Sequence, residues 1–517
     1  MSTATAPPSD TATRSVLTSY FHSLQGEAPN AQAAAYYAAL DQVGTVSPKI
    51  AAAIVQELED QRSYLKLIAS ENYSSLAVQL AQGNLLTDKY AEGYPGHRFY
   101  AGCDNVDTIE AEAARLACEL FGADHAYVQP HSGADANLVA FLSILAARVE
   151  SPLQEELGEA NPVKLDREAW EKVRAALHQQ RLLALDYYSG GHLTHGYRFN
   201  ISSRMFDAYS YAVNPETGFL DLDRVRERLH EVRPLVFIAG YSAYPRKIDF
   251  AALREMAEEV GAVLMVDMAH FSGLVAGKAF TGNYDPVPHA HIVTSTTHKT
   301  LRGPRGGIVL CQEEFAEHVD KGCPAVLGGP LPHVMAAKGV AFQEASRPAF
   351  QDYAATVVTN ARALAEALIK EDLPVATGGT DNHIVLVDTA AGRGLTGRQA
   401  ESALRDCGLT LNRNALPEDP NGPWYTSGLR LGTAAVTTLG MGPDDMAEIA
   451  SMIRQALDHT QPATIKKGKK AGQPSPARYI LDEATQSQVR SRAAELLGQY
   501  PLYPEIDLGL IRGAGIS

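Results

Sequence analysis

The stretch VFIAGYSAYPRKIDFAALREMAEEVGAVLMVDMAH (236–270) decides the fold. VFIAG (236–240) is a short apolar run with the look of a buried strand, and AVLMVD (262–267) is a second. Between them Asp249 can cap the helix AALREMAEEV, and Gly261 stops it. Two buried strands joined by a helix make a βαβ unit. A further β-rich run, HIVTSTT (291–297), follows. The region is therefore α/β, a mostly parallel sheet covered by helices, with ligands expected beyond the carboxyl ends of its strands.

Upstream, Ser47 and Pro48 read as the N-cap and first residue of a helix, with Ile50, Ile54, Val55 and Leu58 at helical spacing. The folded body is expected to begin there, at about residue 46. Residues 1–45 are rich in Ala, Ser and Thr with few charges, and read as an N-terminal arm with little chemistry. From about 148 to 182 the polar, helical pattern SPLQEELGEANPVKLDREAWEKVRAALHQQ looks like an inserted helical hairpin, punctuated by Pro152 and Pro162. The large domain runs to about 350. A smaller α+β domain is expected over 351–517, opening with an amphipathic helix around TVVTNARALAEALIK and followed by strands such as HIVLVD (383–388). From about 461 the basic run TIKKGKKAGQPSPAR reads as a solvated linker leading to a tail.

The chain has 517 residues, 45% hydrophobic and 20% charged, enough to bury more than one core, which excludes disorder for most of its length. Its net charge of −15 argues against a dedicated nucleic-acid or membrane-surface role, because phosphate and anionic lipid would be repelled. The opening MSTATAPPSDTATRSV has neither a basic nor an apolar leader region, no stretch reads as a run of ~18 apolar residues, and a cytoplasmic protein is expected. Cys103, Cys118, Cys311, Cys323 and Cys407 are scattered and never form a CxxC, so neither a disulfide framework nor a cysteine metal site is expected.

The strongest chemical signal is Asp267 at the end of one strand and THKTLRGPRGG (297–307) at the end of the next. Pyridoxal phosphate chemistry needs a lysine amine to form an imine and a carboxylate to keep the pyridine nitrogen protonated. Lys299 and Asp267 supply those two groups. Either alone is more simply a strand-end lysine or a helix cap. VQPHSGADAN (128–137) adds a strand end, a hydroxyl, a glycine and a helix start, so Ser132, Gly133 and Ala134 could present free N–H groups to a phosphate. Histidines gather in GGHLTHG (190–196), DMAH (267–270) and TTHK (296–299). His192 and His195 lack an acidic or cysteine partner at a metal spacing, so no metal site is expected; imidazoles here suit ring stacking and hydrogen bonding instead. His195 taken alone is best read as structural.

The chain resembles the serine hydroxymethyltransferase family, through LIASENY (67–73), TDKYAEGYPGHRFYAGC (87–103), QPHSGADAN, GGHLTHG, YSAY (241–244), VDMAHFSGLVAG (266–277), TTHKTLRGPRGG, GGTDNH (378–383) and TSGLRLGT (426–433). The likeness runs from about 45 to about 460. It implies the aspartate aminotransferase-like fold of type I pyridoxal phosphate enzymes, with a mostly parallel seven-stranded sheet. It also implies reversible conversion of L-serine plus tetrahydrofolate to glycine plus 5,10-methylenetetrahydrofolate, through an external aldimine and Cα–Cβ cleavage. By resemblance Lys299 holds the cofactor and Asp267 its ring nitrogen. His192 stacks on the ring, Ser242 and His270 lie near the phenolate oxygen, and Ser132, Gly133 and Ala134 take the phosphate with Gly328 and Gly329 from a partner subunit. Arg430 grips the substrate carboxylate. Glu92 is the acid or base beside the hydroxymethyl group and the folate, and burial is expected to raise its pKa. Tyr90 and Tyr100 complete the site from a loop that crosses a homodimer interface; further pairing into tetramers stays open. Ser70 sits near the substrate hydroxyl, and His298 bears on the choice of reaction. Folate contacts fall to Glu92, Tyr187, Gly191, His192, Leu193, Asn414, Gly422, Pro423 and Trp424.

The sequence departs from the family pattern in places. Phe99 stands where a second tyrosine is frequent, Ala134 where a phosphate-binding serine is frequent, and Tyr187 where a leucine is frequent. CPAVLGG (323–329) lacks an upstream glycine pair, and Gly422 and Trp424 replace Ser and Phe. A folate-independent aldolase of the same fold, or a non-catalytic binding protein using the KKGKK run on RNA, are the competing readings; Glu92 with Asn414 opposes the first, and the Lys299, Asp267 and Arg430 set opposes the second.

Overall fold

A computed structural model describes residues 15–516; the first fourteen residues of the expected arm lie outside the described residues. The described residues divide into two compact units, one running through Leu65 and resuming at Ala494, the other spanning Lys66–Ala493.

The second unit is built on a seven-stranded sheet. Its strands are β1 (His125–Tyr127), β2 (Arg181–Leu185), β3 (Asp207–Tyr211), β4 (Val236–Gly240), β5 (Val263–Asp267), β6 (Ile292–Thr296) and β7 (Gly307–Cys311), in the order β1-β7-β6-β5-β4-β2-β3. Strands β3, β2, β4, β5 and β6 are parallel, and β7 runs antiparallel to both β6 and β1. The βαβ unit forms as its residues dictate. Asp249 caps the helix Phe250–Val260 by accepting the Ala252 N–H at 2.9 Å, and Gly261 ends it at φ +71°. Both faces of the sheet are covered, so successive strand residues fall in different cores: Phe237, Ala239, Leu264 and Val266 in one, Val236, Ile238, Val263 and Met265 in the other.

The helix Gly133–Leu145 continues through Leu157 as a run long and apolar enough to meet the length and composition of a membrane span. Ala136, Val139, Ala140, Phe141 and Ile144 bury instead in the same core as Ile292 and Val309. Asp135 near its start and Arg148, Glu150, Glu155 and Glu156 in its second half break the unbroken apolar run that sequence counting looks for. The inserted pattern forms helices Ser151–Leu157 and Arg167–His178 before β2 begins at Arg181.

Beyond 350, the helix Pro348–Lys370 precedes a three-stranded antiparallel sheet of β8 (Ile384–Asp388), β9 (Asn412–Asn414) and β10 (Gly428–Gly432), ordered β8-β10-β9. The expected basic linker is a hairpin instead. β11 (Thr460–Thr464) pairs antiparallel with β12 (Pro474–Leu481), and the lysine run forms its turn, closed by Ile465 N–H to Gln473 O at 2.9 Å. Alternation in β12 is spoiled by Pro474 and Pro476, which hid the strand.

The first unit corrects the expected arm. Helices Val16–Ser23 and Ala31–Val46 form there, ahead of the expected helix, which spans Pro48–Ser63. Their partners lie at the far end of the chain. The Tyr37 hydroxyl accepts the Asp507 N–H at 2.6 Å, and Arg62 donates to the carbonyls of Leu502, Tyr503 and Ile506 at 2.7–2.9 Å. Ser47 stands at the cap position but its side chain makes no capping bond, and Ile50 and Ile54 are exposed, while Ala51, Val55 and Leu58 are buried.

Candidate active site

Strands β1, β2, β4, β5 and β6 all present their carboxyl ends to one edge of the sheet, and the chemistry gathers there. Asp267, the last residue of β5, is buried. Its Oδ2 accepts from His195 Nε2 and from Asn137 Nδ2, each at 3.0 Å, and its Oδ1 accepts the Ala269 N–H at 3.0 Å. Burial works against ionisation, yet the His195 hydrogen bond and the neighbouring imidazoles hold the carboxyl far below the usual carboxylate range.

The donors are themselves aligned. Thr294 donates to Asn137 Oδ1 at 2.6 Å, and Asn137 Nδ2 also reaches Thr194 Oγ1 at 2.7 Å. His195 Nδ1 takes the His192 N–H at 3.4 Å, which leaves the proton on Nε2, facing Asp267. His192 Nδ1 takes the Thr194 N–H and lies 2.7 Å from Thr194 Oγ1. Burial lowers the His192 pKa to about 4, so its ring is neutral. The turn that carries these histidines needs glycine at 191, where a Cβ would stand 2.0 Å from Leu185 O.

Lys299 is buried, and no hydrogen bond to its Nζ occurs among the described residues. Burial, opposed by Asp267 and reinforced by Arg430 and Arg305, lowers its pKa to about 8. Its backbone is fixed: Asn72 Nδ2 donates to Lys299 O at 2.9 Å and to the Tyr353 hydroxyl at 2.8 Å, and Arg302 N–H donates to the same Lys299 carbonyl. Next to it, His298 is lowered to about 3 by burial and by Arg305, and its Nδ1 has no partner. His270 is buried and neutral and stacks on His383, centroids 5.6 Å apart, with Nδ1 3.4 Å from His383 Nε2.

Ser132 caps the helix Gly133–Leu145, its Oγ accepting the Asp135 N–H at 3.2 Å. The N–H groups of Gly133 and Ala134, in the first turn, have no intrahelical acceptor, the arrangement of a cradle that can receive an anion. The start of β7 presses against it: a Cβ on Gly307 would stand 2.3 Å from Ser132 O. An unpartnered buried amine and an ionised buried carboxylate at the ends of the adjacent strands β6 and β5, with a helix start that can receive an anion after β1, fit the aldehyde, ring nitrogen and phosphate of pyridoxal phosphate.

Arg430, in the middle of β10, donates through Nη1 to Ser242 O at 2.6 Å and through Nε to Asn412 Oδ1 at 3.1 Å; burial lowers its pKa to about 10. Ser242 N–H in turn donates to Gly190 O. Gly432 lies against Ala69, where a Cβ would be 2.4 Å from the Ala69 Cα, which sets Ser70 beside the end of the arginine strand. Tyr187 packs against Tyr188 and Tyr197 and feels the charges of Arg430 and Arg413. Leu193 is exposed. Trp424, in the short helix Gly422–Tyr425, is exposed and has Arg398 and Arg413 over its ring at 5.4 and 5.6 Å. Asn414 ends β9, its Nδ2 on Ala415 O at 2.6 Å.

Glu92, Tyr90 and Tyr100 form a separate group. The Tyr90 and Tyr100 rings meet edge to face at 5.0 Å, both exposed, and Tyr100 lies in the field of Glu92. The loop is pinned from beneath by Arg98, which donates to the carbonyls of Ala91 and Gly93, and by Gln129, which donates to Gly93 O and Glu110. Gly329 belongs to this group, since a Cβ there would stand 2.9 Å from the Tyr90 ring; Cys323 joins Gly93 N–H to Gly328 O. The described interactions tie these residues to one another rather than to Lys299.

Sequence reading missed Asn137, Asn72, His383 and the Arg98–Glu110 pair, and gave His195 only a structural part. All but Glu110 sit inside recognisable blocks, yet a role as partner of Asp267 or of the Lys299 carbonyl depends on contacts 72 to 227 residues apart in the chain. The acidic neighbour that linear spacing failed to offer the histidines is Asp267; ligand atoms of His192, His195 and Asp267 lie within 4.8 Å of one another. His195 Nε2 is bonded to Asp267 there, and His192 Nδ1 is bonded to Thr194.

A sequence profile described as serine hydroxymethyltransferase matches residues 43–151 and 168–453, passing over the middle of the insertion. The chain is 60% identical over 478 residues to a serine hydroxymethyltransferase of Treponema pallidum (strain Nichols), covering 92% of this chain and 82% of that protein. A serine hydroxymethyltransferase of Salinispora tropica is 58% identical over 93% of this chain and 99% of its own. That of Chlamydia muridarum is 50% identical over 96% and 99%.

Proposed function

The chain belongs to the serine hydroxymethyltransferase family, and from that premise we propose which of its residues carry the reaction. It interconverts L-serine plus tetrahydrofolate with glycine plus 5,10-methylenetetrahydrofolate, with pyridoxal 5'-phosphate as cofactor. Lys299 would hold the cofactor through Nζ, Asp267 its ring nitrogen, and Ser132, Gly133 and Ala134 its phosphate. His192 would flank the ring, and Ser242 and His270 its oxygen. When bound, the cofactor supplies a cationic ring that draws off the electron pair of the breaking Cα–Cβ bond.

The residues then divide the work. Lys299 Nζ, with its pKa brought down to about 8, is in part a free amine at neutral pH and so a nucleophile. Asp267 stays ionised and holds the ring proton in place. Arg430 offers its planar fork to the serine carboxylate, two N–H groups meeting two oxygens. The Glu92 carboxylate takes the proton of the serine hydroxymethyl group and becomes the acid for the reverse step, with Ser70 beside it and Tyr90 and Tyr100 excluding water. Neutral His298 can donate or accept a hydrogen bond without adding charge. Tyr187, Gly191, His192, Leu193, Asn414, Gly422, Pro423 and Trp424 would receive the folate, whose anionic charge Arg398 and Arg413 answer.

We further infer a homodimer in which the loop of Tyr90, Glu92 and Tyr100, with Gly328 and Gly329, completes the site of the other copy. The exposure of Tyr90, Phe99 and Tyr100 supports this. A cytoplasmic location is consistent with five free cysteines.

The single observation that carries the reading is the ionised, triply hydrogen-bonded Asp267 next to an unpartnered Lys299. Serine turnover with and without tetrahydrofolate tests it. Turnover that requires folate is expected; cleavage indifferent to folate would make the protein an aldolase, and no cleavage at all would make it a binding protein on the same fold.

A further inference from the structure

Lys338 lies outside every block that marked the site, in the middle of the helix Pro332–Ala345, and it is 1% exposed. A buried ammonium is costly unless its donors are met. Here all three are met by backbone carbonyls: Val128 O at 2.5 Å, Pro130 O at 2.9 Å and Gly307 O at 2.8 Å. Among the described residues no carboxylate is hydrogen-bonded to it. Burial lowers the Lys338 pKa to about 7, against the opposing pull of Glu110, already paired with Arg98, and of Asp135, in the first turn of the cradle helix; three carbonyl acceptors call for three N–H donors, which only the ammonium form carries. The positive charge is therefore incompletely balanced within the chain.

Its three acceptors are not scattered. Val128 and Pro130 form the strand end that leads into Ser132, Gly133 and Ala134, and Gly307 opens β7 against Ser132. Gly307 N–H also bonds to Pro130 O at 2.9 Å, so Lys338 closes a knot beneath the cradle. Gly306 is glycine for the same reason, since a Cβ there would stand 2.6 Å from Lys338 Cε. Gly306 O accepts the Thr297 N–H, which joins the knot to the segment bearing Lys299.

We propose that Lys338 is a positioning residue for the cofactor phosphate: it fixes the strand end beneath the cradle and supplies buried positive charge that a bound dianion balances. This rests on the reading that Ser132, Gly133 and Ala134 take that phosphate. It gives a physical account of how a cradle with alanine at 134, and so one hydroxyl fewer than is frequent in the family, still favours a dianion.

The test compares the full-length protein, stripped of cofactor, for affinity towards pyridoxal phosphate and towards pyridoxal, which lacks the phosphate. In Lys338→Met, affinity for pyridoxal phosphate falls at least about tenfold, as expected for loss of a charged hydrogen-bond donor, while pyridoxal binding is unchanged. Equal losses for both ligands would mean that Lys338 merely supports the fold, and no loss for either would remove its role; both overturn the proposal. If Lys338→Met does not fold, Lys338→Gln decides, because it removes the charge while keeping two N–H donors for the carbonyls. The same selective loss supports the proposal, and a wild-type affinity ratio overturns it. A wild-type protein that binds both ligands equally would overturn the cradle reading itself, an outcome distinct from failure of the Lys338 proposal.

Discussion

His195 Nε2 stands 3.0 Å from Asp267 Oδ2, in a buried pocket where the imidazole's other nitrogen is already committed to the His192 N–H. The imidazole therefore has a fixed tautomer and serves as a donor to the carboxylate, which is what keeps Asp267 ionised although burial opposes it.

Removing that donor lets burial act on the carboxyl. Because the folded pKa of Asp267 is depressed, the stabilisation it gives is present above the unfolded value near 4 and is lost as pH falls through the folded value. In His195→Phe the folded value rises. The pH at which acidification releases bound cofactor, followed by its visible absorbance, moves upward; an unchanged release profile would show that His195 does not control Asp267. Asp267→Asn should cost turnover about 10²–10³-fold, as loss of a key electrostatic group does.

Lys299 has the opposite linkage. Its folded pKa of about 8 lies below the ordinary 10.5, so burying it costs stability below pH 8, and that cost fades as pH rises towards 10.5. In cofactor-free protein, Lys299→Met should be more stable than wild type at pH 7, by up to about 3 kcal/mol. The gain should shrink towards pH 10. Thermal unfolding across pH checks this, and a gain independent of pH would contradict it. The same variant should lose serine turnover.

Arg430→Lys retains charge but loses the fork and the bond to Asn412. KM for serine should rise on the order of tenfold or more, the worth of a charged hydrogen bond, with Tm nearly unchanged. An unaltered KM would remove Arg430 from carboxylate binding.

Residues 158–166 between the two insertion helices are mostly exposed, and the family profile passes over them. Replacing 159–165 with a short Gly–Ser connection should leave turnover within about twofold and stability within about 1 kcal/mol, as for surface changes away from packed features. A large loss in turnover would assign the insertion a part in the reaction.

Local signals carried much of the fold. Asp249, Gly261 and the apolar strands around them form the βαβ unit as their chemistry dictates, because cap, stop and burial pattern agree. The helix from Pro48 was legible, but Val16–Ser23 and Ala31–Val46 before it were not, since a partner such as Asp507, whose N–H the Tyr37 hydroxyl accepts, lies more than 400 residues away. The lysine run read as linker because composition reports solvation, and a hairpin turn is as solvated as a linker. At the site, residue types named Lys299 and Asp267. The residues that orient them, Asn137, His195 and Asn72, were hidden because an amide or imidazole acquires such a role only through a partner that the fold brings to it.

The most direct test of the central claim is to reduce the cofactor-loaded protein with borohydride and map the labelled peptide. The account predicts one stable label per chain, on the peptide containing Lys299, and none in Lys299→Met. A label on another lysine, such as Lys338, or full turnover without any label, would contradict it.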